Sequence, residues 1–259
     1  MTSFDVLIRN GTLIDGTGAP ATPADLAIAN GRIAAIAPPG HLTAATAHTE
    51  IDATGLVVSP GFIDIHTHSD TPLIVDGRGW SKLRQGVTTD VVGNCGYTPY
   101  PVSPDPTRRT LLCDSLLYGD LVAGALPNAT PPWTDLAGYR DALHAKGIGI
   151  NTAPLVGHSA LRAAALGFDD RPATADELRA MRRLVAEALE QGAFGLSTGL
   201  TLPPSAYGDT VEVIALCEEL ARVPGRLYCS HVRDRTPDGL SGQEEALEIA
   251  RRASSRTRW

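Results

Sequence analysis

Short apolar segments alternate with amphipathic helical segments along most of this chain, and this alternation is the feature that most limits its fold. The apolar segments cover residues 56–65, 86–92, 148–155, 193–197 and 226–230. Helices are predicted at residues 134–147, 175–191 and 241–253, with a further one after Asp209-x-x-Glu212. Such alternation is typical of a parallel sheet. Because no Gly-x-Gly-x-x-Gly follows the first strand, a (β/α) barrel is favoured over a dinucleotide-binding sheet.

The segment 175–191 carries the clearest helix signals. Thr174 and Glu177 have the spacing of a capping box, in which each side chain bonds the backbone N–H of the other residue. Apolar residues recur three and four positions apart through the segment, and Gly192 stands at its end. Residues 98–133, by contrast, are rich in proline and are predicted to form one short helix within a loop over the site.

The first fifty residues differ from the rest, because they contain short strand-like runs without helical segments. The pairs Asn10-Gly11, Asp15-Gly16 and Asn30-Gly31 separate these runs. Such pairs are strong hairpin signals, since their backbones readily adopt the positive φ that tight turns require. The pattern predicts a small antiparallel β unit that ends near Ala53.

Size and charge restrict the class of protein. The chain has 259 residues, of which 43% are hydrophobic, and a net charge of −7. An acidic chain without long basic runs argues against nucleic acid or anionic membranes as partners. No apolar run reaches the ~20 residues of a membrane-spanning helix, and the first residues lack a signal-peptide pattern. The four widely spaced cysteines are typical of free thiols in a reducing compartment, so a cytoplasmic location is expected.

Metal-binding side chains follow several of the predicted barrel strands. His66 and His68 end the first apolar segment, Cys95 follows the second, and His231 follows the fifth. Residues two apart on a strand share a face, and barrel active sites lie at the carboxyl ends of the strands. Imidazole and thiolate are good zinc donors. The sequence therefore predicts a metal site at this rim.

Other histidines and cysteines receive different interpretations. His158 follows the third strand and is interpreted as a residue that orients its loop, although a role as a metal ligand stays open. For Cys95, a role as a buried packing residue stays open beside the role as a ligand. Surface positions are predicted for His41, His48 and His144, and packing roles for Cys113, Cys217 and Cys229.

Several motifs of this chain are informative when they are taken together. They are Pro60-Gly-Phe-Ile-Asp-Ile-His-Thr-His, Gly86-Val-Thr-Thr, Gly93-Asn-Cys-Gly, Gly157-His-Ser, Gly192-Ala-Phe-Gly-Leu-Ser-Thr-Gly-Leu and Ser230-His-Val-Arg-Asp. In this combination they resemble the amidohydrolase superfamily, and more narrowly its N-acyl-D-amino-acid deacylase (D-aminoacylase) branch. The resemblance implies an α/β fold, an incomplete (β/α)8 TIM-like barrel of a metal-dependent hydrolase. It also implies a small N-terminal β-sandwich portion over residues 1–55, with the partial barrel over residues 56–259.

The same resemblance implies a function and a ligand set. Cys95 and His231 match ligands of a tight zinc site that also uses a histidine after the sixth strand, and His66 and His68 match a weaker second metal position. The implied reaction is hydrolysis of an N-acyl-D-amino acid, a small-molecule substrate, to a carboxylate and a D-amino acid. Cysteine in place of the carbamylated lysine of dihydroorotases and hydantoinases argues against those relatives.

The chain departs from this family at its end. Neither the sixth-strand histidine nor the late aspartate that serves as general acid and base has a position here, and residues 253–259 are polar where a strand is due. About five barrel strands are therefore expected, in a C-terminally truncated chain with impaired activity. The alternatives are an inactive remnant that binds only metal or a partner, and a cyclic amidase or dihydroorotase-like enzyme. No oligomeric state is predicted.

Overall fold

A computed structural model describes residues 3–42, 45–116, 130–233, 240–253 and 256–257. The chain forms two compact units, residues 1–61 and 62–259. In the part of the chain so described, no helix is long and apolar enough to cross a membrane.

The first unit is built on one five-stranded sheet. Its strands are β1 (Ser3–Leu13), β2 (Thr22–Ala29), β3 (Arg32–Ala37), β4 (Thr46–Asp52) and β5 (Val57–Val58). The order is β3-β2-β1-β4, with β5 also paired to β1. The predicted antiparallel pairing is correct for β1, β2 and β3 but wrong for β4, which runs parallel to β1. Strand β5 lies beyond the predicted end of the unit near Ala53 and also runs parallel to β1. The reason is that the chain after β3 crosses to the far side of β1 instead of forming another hairpin.

The two Asn-Gly pairs in this unit, Asn10-Gly11 and Asn30-Gly31, have different structural roles. Asn30 and Gly31 both have positive φ and connect β2 to β3, as a tight hairpin turn requires. Asn10, at φ 61°, lies inside β1, where the register to β2 shifts between Ile8 and Gly11. The turn predicted at Asn10-Gly11 is therefore wrong, because the pair forms a β-bulge within a continuous strand.

The second unit contains a parallel sheet, as predicted. Its strands are β6 (Phe62–Asp64), β7 (Val87–Val92), β8 (Asn151–Gly157), β9 (Gly195–Gly199), β10 (Leu227–His231) and β11 (Arg256–Thr257), and they pair in chain order. The expectation that residues 253–259 lack a strand is wrong, since Arg256–Thr257 pairs with β10 through its backbone, which does not depend on side-chain polarity. The curled sheet forms an incomplete TIM-like barrel.

Helices connect these strands. They are α1 (Pro72–Val75), α2 (Trp80–Leu83), α3 (Pro106–Leu116), α4 (Leu136–Lys146), α5 (His158–Ala165), α6 (Ala175–Glu190), α7 (Thr210–Ala221) and α8 (Leu240–Arg252). Helix α6 begins with the predicted capping box of Thr174 and Glu177. Helix α5 was not predicted from the sequence. Helix α3 is the short helix expected in the proline-rich segment, of which residues 117–129 lie outside the described chain.

The two faces of the barrel sheet differ in burial. The helix-covered face contributes Val92, Val156, Leu196 and Tyr228, which are fully buried. Strand alternation and register place Ile63, Ile65, Val91, Leu227 and Cys229 on the inner face. Ile63 and Ile65 on that face are 61% and 64% exposed. The helix side therefore forms the core, whereas the inner face near β6 is open among the described residues.

Candidate metal centre

His66 and His68 lie next to each other just after β6. Their ring centroids are 5.9 Å apart, in an edge-on arrangement. The strand ends at Asp64, whose Oδ1 accepts the N–H of His66 at 3.1 Å. A short ion pair from Lys82 Nζ to Asp64 Oδ2, at 2.5 Å, lowers the pKa of that carboxyl. The two imidazoles are thus brought together by a bend after the strand, and not by the strand alternation that the sequence suggested.

Cys95 projects from a tight turn at the end of β7. The turn is a 3₁₀ segment, Asn94–Gly96, and Cys95 within it has φ 55°, in the left-handed region that side chains other than glycine rarely occupy. Its Sγ lies 3.3 Å from His66 Nε2. Asn94 Nδ2 donates to the carbonyls of Val91 at 2.8 Å and Thr67 at 3.4 Å. Asn94 therefore ties the cysteine turn to the histidine segment.

The donor atoms of His66, His68 and Cys95 all lie within 4.8 Å of one another. In the described part of the chain, no other His, Cys, Asp or Glu group of three or more is this compact. Donors held at ~2.0–2.3 Å by one tetrahedral zinc ion would be about 3.3–3.8 Å apart. The buried Nδ1 of His68 has no hydrogen-bond partner among the residues that the structure describes. The three residues therefore fit a zinc ion after small side-chain adjustments.

Burial is the main cause that lowers the pKa of His68, and the neighbouring imidazoles of His66 and His231 lower it further. A lowered pKa keeps this imidazole neutral at neutral pH. Metal ions bind the neutral ring, because its lone pair is then free. The electrostatic environment of His68 therefore favours binding of a metal ion.

A sequence model described as the amidohydrolase family matches residues 49–224, which is more than half of the chain. The chain belongs to the amidohydrolase family. The matched region contains His66, His68 and Cys95, so the compact donor group lies inside the part of the chain that defines the family.

Two curated amidohydrolase relatives come from Alcaligenes xylosoxydans xylosoxydans. A D-aminoacylase is 42% identical over 250 residues, covering 96% of this chain and 48% of the relative. An N-acyl-D-aspartate deacylase is 40% identical over 255 residues, covering 97% and 48%. The chain thus spans about half the length of the curated relatives it matches.

A solved structure of a deacylase is similar to this chain in its three-dimensional fold. It is an N-acyl-D-glutamate deacylase from Bordetella bronchiseptica, determined with zinc and a phosphonate inhibitor that mimics the tetrahedral intermediate. The TM-score is 0.84 at 38% identity, and the match covers 98% of this chain and 50% of the other. The amidohydrolase fold expected from the sequence is therefore confirmed.

His231, the fourth expected ligand of this amidohydrolase, ends β10 and lines the same cavity of about 360 Å³ as His66 and Cys95. It does not belong to the compact group of three. Its Nε2 lies 2.9 Å from Thr201 Oγ1. The structure therefore brings three of the four predicted ligands into one compact group and places His231 on the wall of the same cavity.

Cys229 was interpreted from the sequence as a packing residue, but the structure places it on the wall of the same cavity. It precedes His231 by two positions on β10, so both side chains share the inner face. Burial, and to a lesser extent the neighbouring Cys95, raises the pKa of its thiol to about 11. The spacing Cys229-x-His231 on a strand is the sequence signal that could have identified it.

His158 lies elsewhere, in the buried layer between α5 and α7. Its Nδ1 is 2.7 Å from Ser205 Oγ, and its Nε2 is 2.8 Å from Glu212 Oε1. Because both ring nitrogens are engaged, a structural role is favoured over a role as a metal ligand. Arg162 Nη1 also bonds both oxygens of Glu212 at 2.7 Å, a pairing that the sequence analysis missed. The remaining histidines, His41, His48 and His144, are exposed.

Proposed function

We propose that this chain provides metal ligands of a zinc-dependent hydrolase that cleaves the amide bond of N-acyl-D-amino acids. The observation that carries this proposal is the compact group of His66, His68 and Cys95 at the rim of an amidohydrolase barrel. The similarity to a D-aminoacylase and to deacylases named for N-acyl-D-aspartate and N-acyl-D-glutamate supports the substrate class. The products would be a carboxylate and a D-amino acid.

Cys95, His66, His68 and His231 would hold the metal. Zinc is supported by the mixed nitrogen and sulfur donors and by the zinc in the solved deacylase structure. Following the family resemblance, Cys95 and His231 would contribute to the tight site and the histidine pair to a weaker second position. When bound, zinc polarises a carbonyl and lowers the pKa of its water from ~15.7 towards ~7.

The residues of this chain have mainly positioning roles in the proposed reaction. His68 is kept neutral and ready to bind by its burial. Asn94 holds the cysteine turn against the histidine segment, and the cavity of about 360 Å³ leaves room for the scissile amide. No residue of this chain is assigned as the general acid or base of the reaction. We therefore propose that the activity of this chain alone is impaired.

Zinc content and deacylation, measured on the purified chain, test the proposal. The wild type is expected to bind zinc and to release D-amino acid slowly from N-acetyl-D-methionine or N-acetyl-D-glutamate. Cys95→Ala should lose both properties, because it removes a ligand. Cys113→Ala is the matched control, since Cys113 is also a buried free thiol but lies on α3. Full zinc content in Cys95→Ala, or catalysis by zinc-free protein, would contradict the proposal.

A second candidate function is binding of metal or a partner without catalysis. The exposure of Ile63 and Ile65 on the inner face of the barrel sheet favours it, because apolar side chains exposed next to a site are available for contact with another polypeptide. Zinc binding without any release of D-amino acid would support this candidate over the first.

A further inference from the structure

The turn that carries Cys95 packs directly on the backbone of two neighbouring barrel strands. A Cβ atom placed on Gly157 of β8 would lie 2.3 Å from the carbonyl oxygen of Gly96. A Cβ atom on Gly199 of β9 would lie 2.2 Å from the carbonyl oxygen of Cys95. Only glycine permits an approach this close. The turn is therefore seated on the inner face of β8 and β9, far from it in sequence.

Ser197 lies between these two glycines and is fully buried. Its Oγ accepts the N–H of Gly96 at 3.0 Å and donates to the carbonyl of Gly93. These two hydrogen bonds bracket Cys95 on both sides, although Ser197 is more than a hundred residues away along the chain. A single hydroxyl thus closes the backbone turn in which Cys95 holds φ 55°.

We propose that Ser197 is a positioning residue for the Cys95 thiolate. Left-handed backbone at a residue with a side chain persists only where the surroundings impose it, and the two bonds of Ser197 impose it here. They keep Sγ directed at His66, at 3.3 Å, which is the arrangement that a shared metal ion requires. The inference rests on the proposed function, in which Cys95 binds metal, and adds a residue that does not touch the metal.

Thr198, the next residue of β9, supplies a matched control. It is also fully buried, but its side chain points to the opposite face of the sheet. Its Oγ1 lies 3.0 Å from both Tyr228 Oη and Ser230 Oγ. Ser197→Ala and Thr198→Val each remove one buried hydroxyl from the same strand, so any general loss of stability should be similar in the two variants.

Metal affinity is the first measurement. Zinc binding by the full chain is followed by competition with a chelator, and cobalt binding by the thiolate-to-metal absorption band. Ser197→Ala is expected to bind zinc about 10–100-fold more weakly, as is typical when the partners of a metal ligand are removed, and to lose intensity in the cobalt band. Thr198→Val should match the wild type. Equal affinities in Ser197→Ala and the wild type, or equal losses in both variants, would overturn the inference.

The reactivity of Cys95 in metal-free protein is the second measurement. Alkylation by iodoacetamide, read at Cys95 by peptide mass spectrometry, should be faster in Ser197→Ala than in Thr198→Val or the wild type, because the turn is no longer held. An unchanged rate would refute the positioning role even if the wild type bound no metal. Absence of zinc binding by the wild type would instead count against the proposed function, so the two failures are distinguishable.

Discussion

Glu212→Gln is expected to destabilise the protein strongly, because it removes the charge that balances a buried arginine. Arg162 is 0% exposed and Glu212 is 4% exposed, and both carboxylate oxygens lie 2.7 Å from Arg162 Nη1. Burial by itself would raise the pKa of Glu212, but the hydrogen bonds and charges of His158 and Arg162 outweigh this effect. The pKa of Glu212 is therefore lowered. Burial lowers the pKa of His158. With that ring neutral, Arg162 supplies the balancing charge.

The size of the effect follows from the burial of this pair. Glutamine has nearly the same shape as glutamate, so no cavity forms and the cost is that of an uncompensated buried charge, about 3–5 kcal/mol. That is a large part of a typical stability of about 5–15 kcal/mol. At about 2–4 °C per kcal/mol for a chain of this size, Tm should fall by roughly 6–20 °C. Adding Arg162→Met to Glu212→Gln removes the orphaned charge and should restore part of the loss.

Thermal and urea unfolding at pH 7, followed by circular dichroism, measure these effects. Glu218→Gln is the control, because Glu218 lies on the same helix, pairs with Arg182 at 3.1 Å and is 48% exposed. An exposed pair of this kind contributes about 1 kcal/mol or less. The reasoning fails if Glu212→Gln and Glu218→Gln unfold at the same temperature, or if the double variant is less stable than Glu212→Gln alone.

Two further substitutions test other parts of the structure. A hydrogen bond from Arg171 is the largest cause that lowers the pKa of Glu177 from 4.5 to about 2, so the stability it contributes is present above pH 4.5 and is lost as the pH falls towards 2. Glu177→Gln should cost about 1 kcal/mol of unfolding free energy at pH 7, because it weakens the ion pair with Arg171 and the capping bonds to Thr174. The difference from the wild type should shrink as the pH falls and vanish below pH 2 in acid unfolding. Glu187→Gln, at an exposed position of the same helix, should change little. Gly157→Ala places a methyl group 2.3 Å from the carbonyl oxygen of Gly96 and should displace the turn that carries Cys95. Zinc content and Tm should therefore both fall. Full zinc content in this variant would contradict the close packing of the Cys95 turn on β8.

Local signals predicted the regular elements well wherever the cause of the structure is local. Helix α6 begins after Thr174 and ends at Glu190, because a capping box and an apolar stripe act within a few residues. Helix α7 likewise begins after Asp209, whose side chain accepts the N–H of Glu212. The bulge at Asn10 shows the limit of such signals, since the same Asn-Gly pair suits a turn or a bulge and strand pairing decides between them.

The candidate site was predicted in its residue types but not in its construction. Residue spacing indicated His66, His68 and Cys95 as donors, and the structure brings them together. The position of Cys229 on the cavity wall was missed, although its spacing from His231 on the same strand could have indicated it. Spacing could not indicate that Glu212 holds His158, because the two residues are 54 positions apart in sequence.

The amino-acid sequence by itself determined the barrel strands, the longer helices and the donor side chains, because these depend on residue type and short-range periodicity. Only the tertiary structure decided how the donors converge. Ser197 reaches the turn of Cys95 across more than a hundred residues, and Thr201, in the turn after β9, contacts His231 at the end of β10. Contacts of this kind arise when separate strands pack into one barrel wall, so no local pattern in the chain records them.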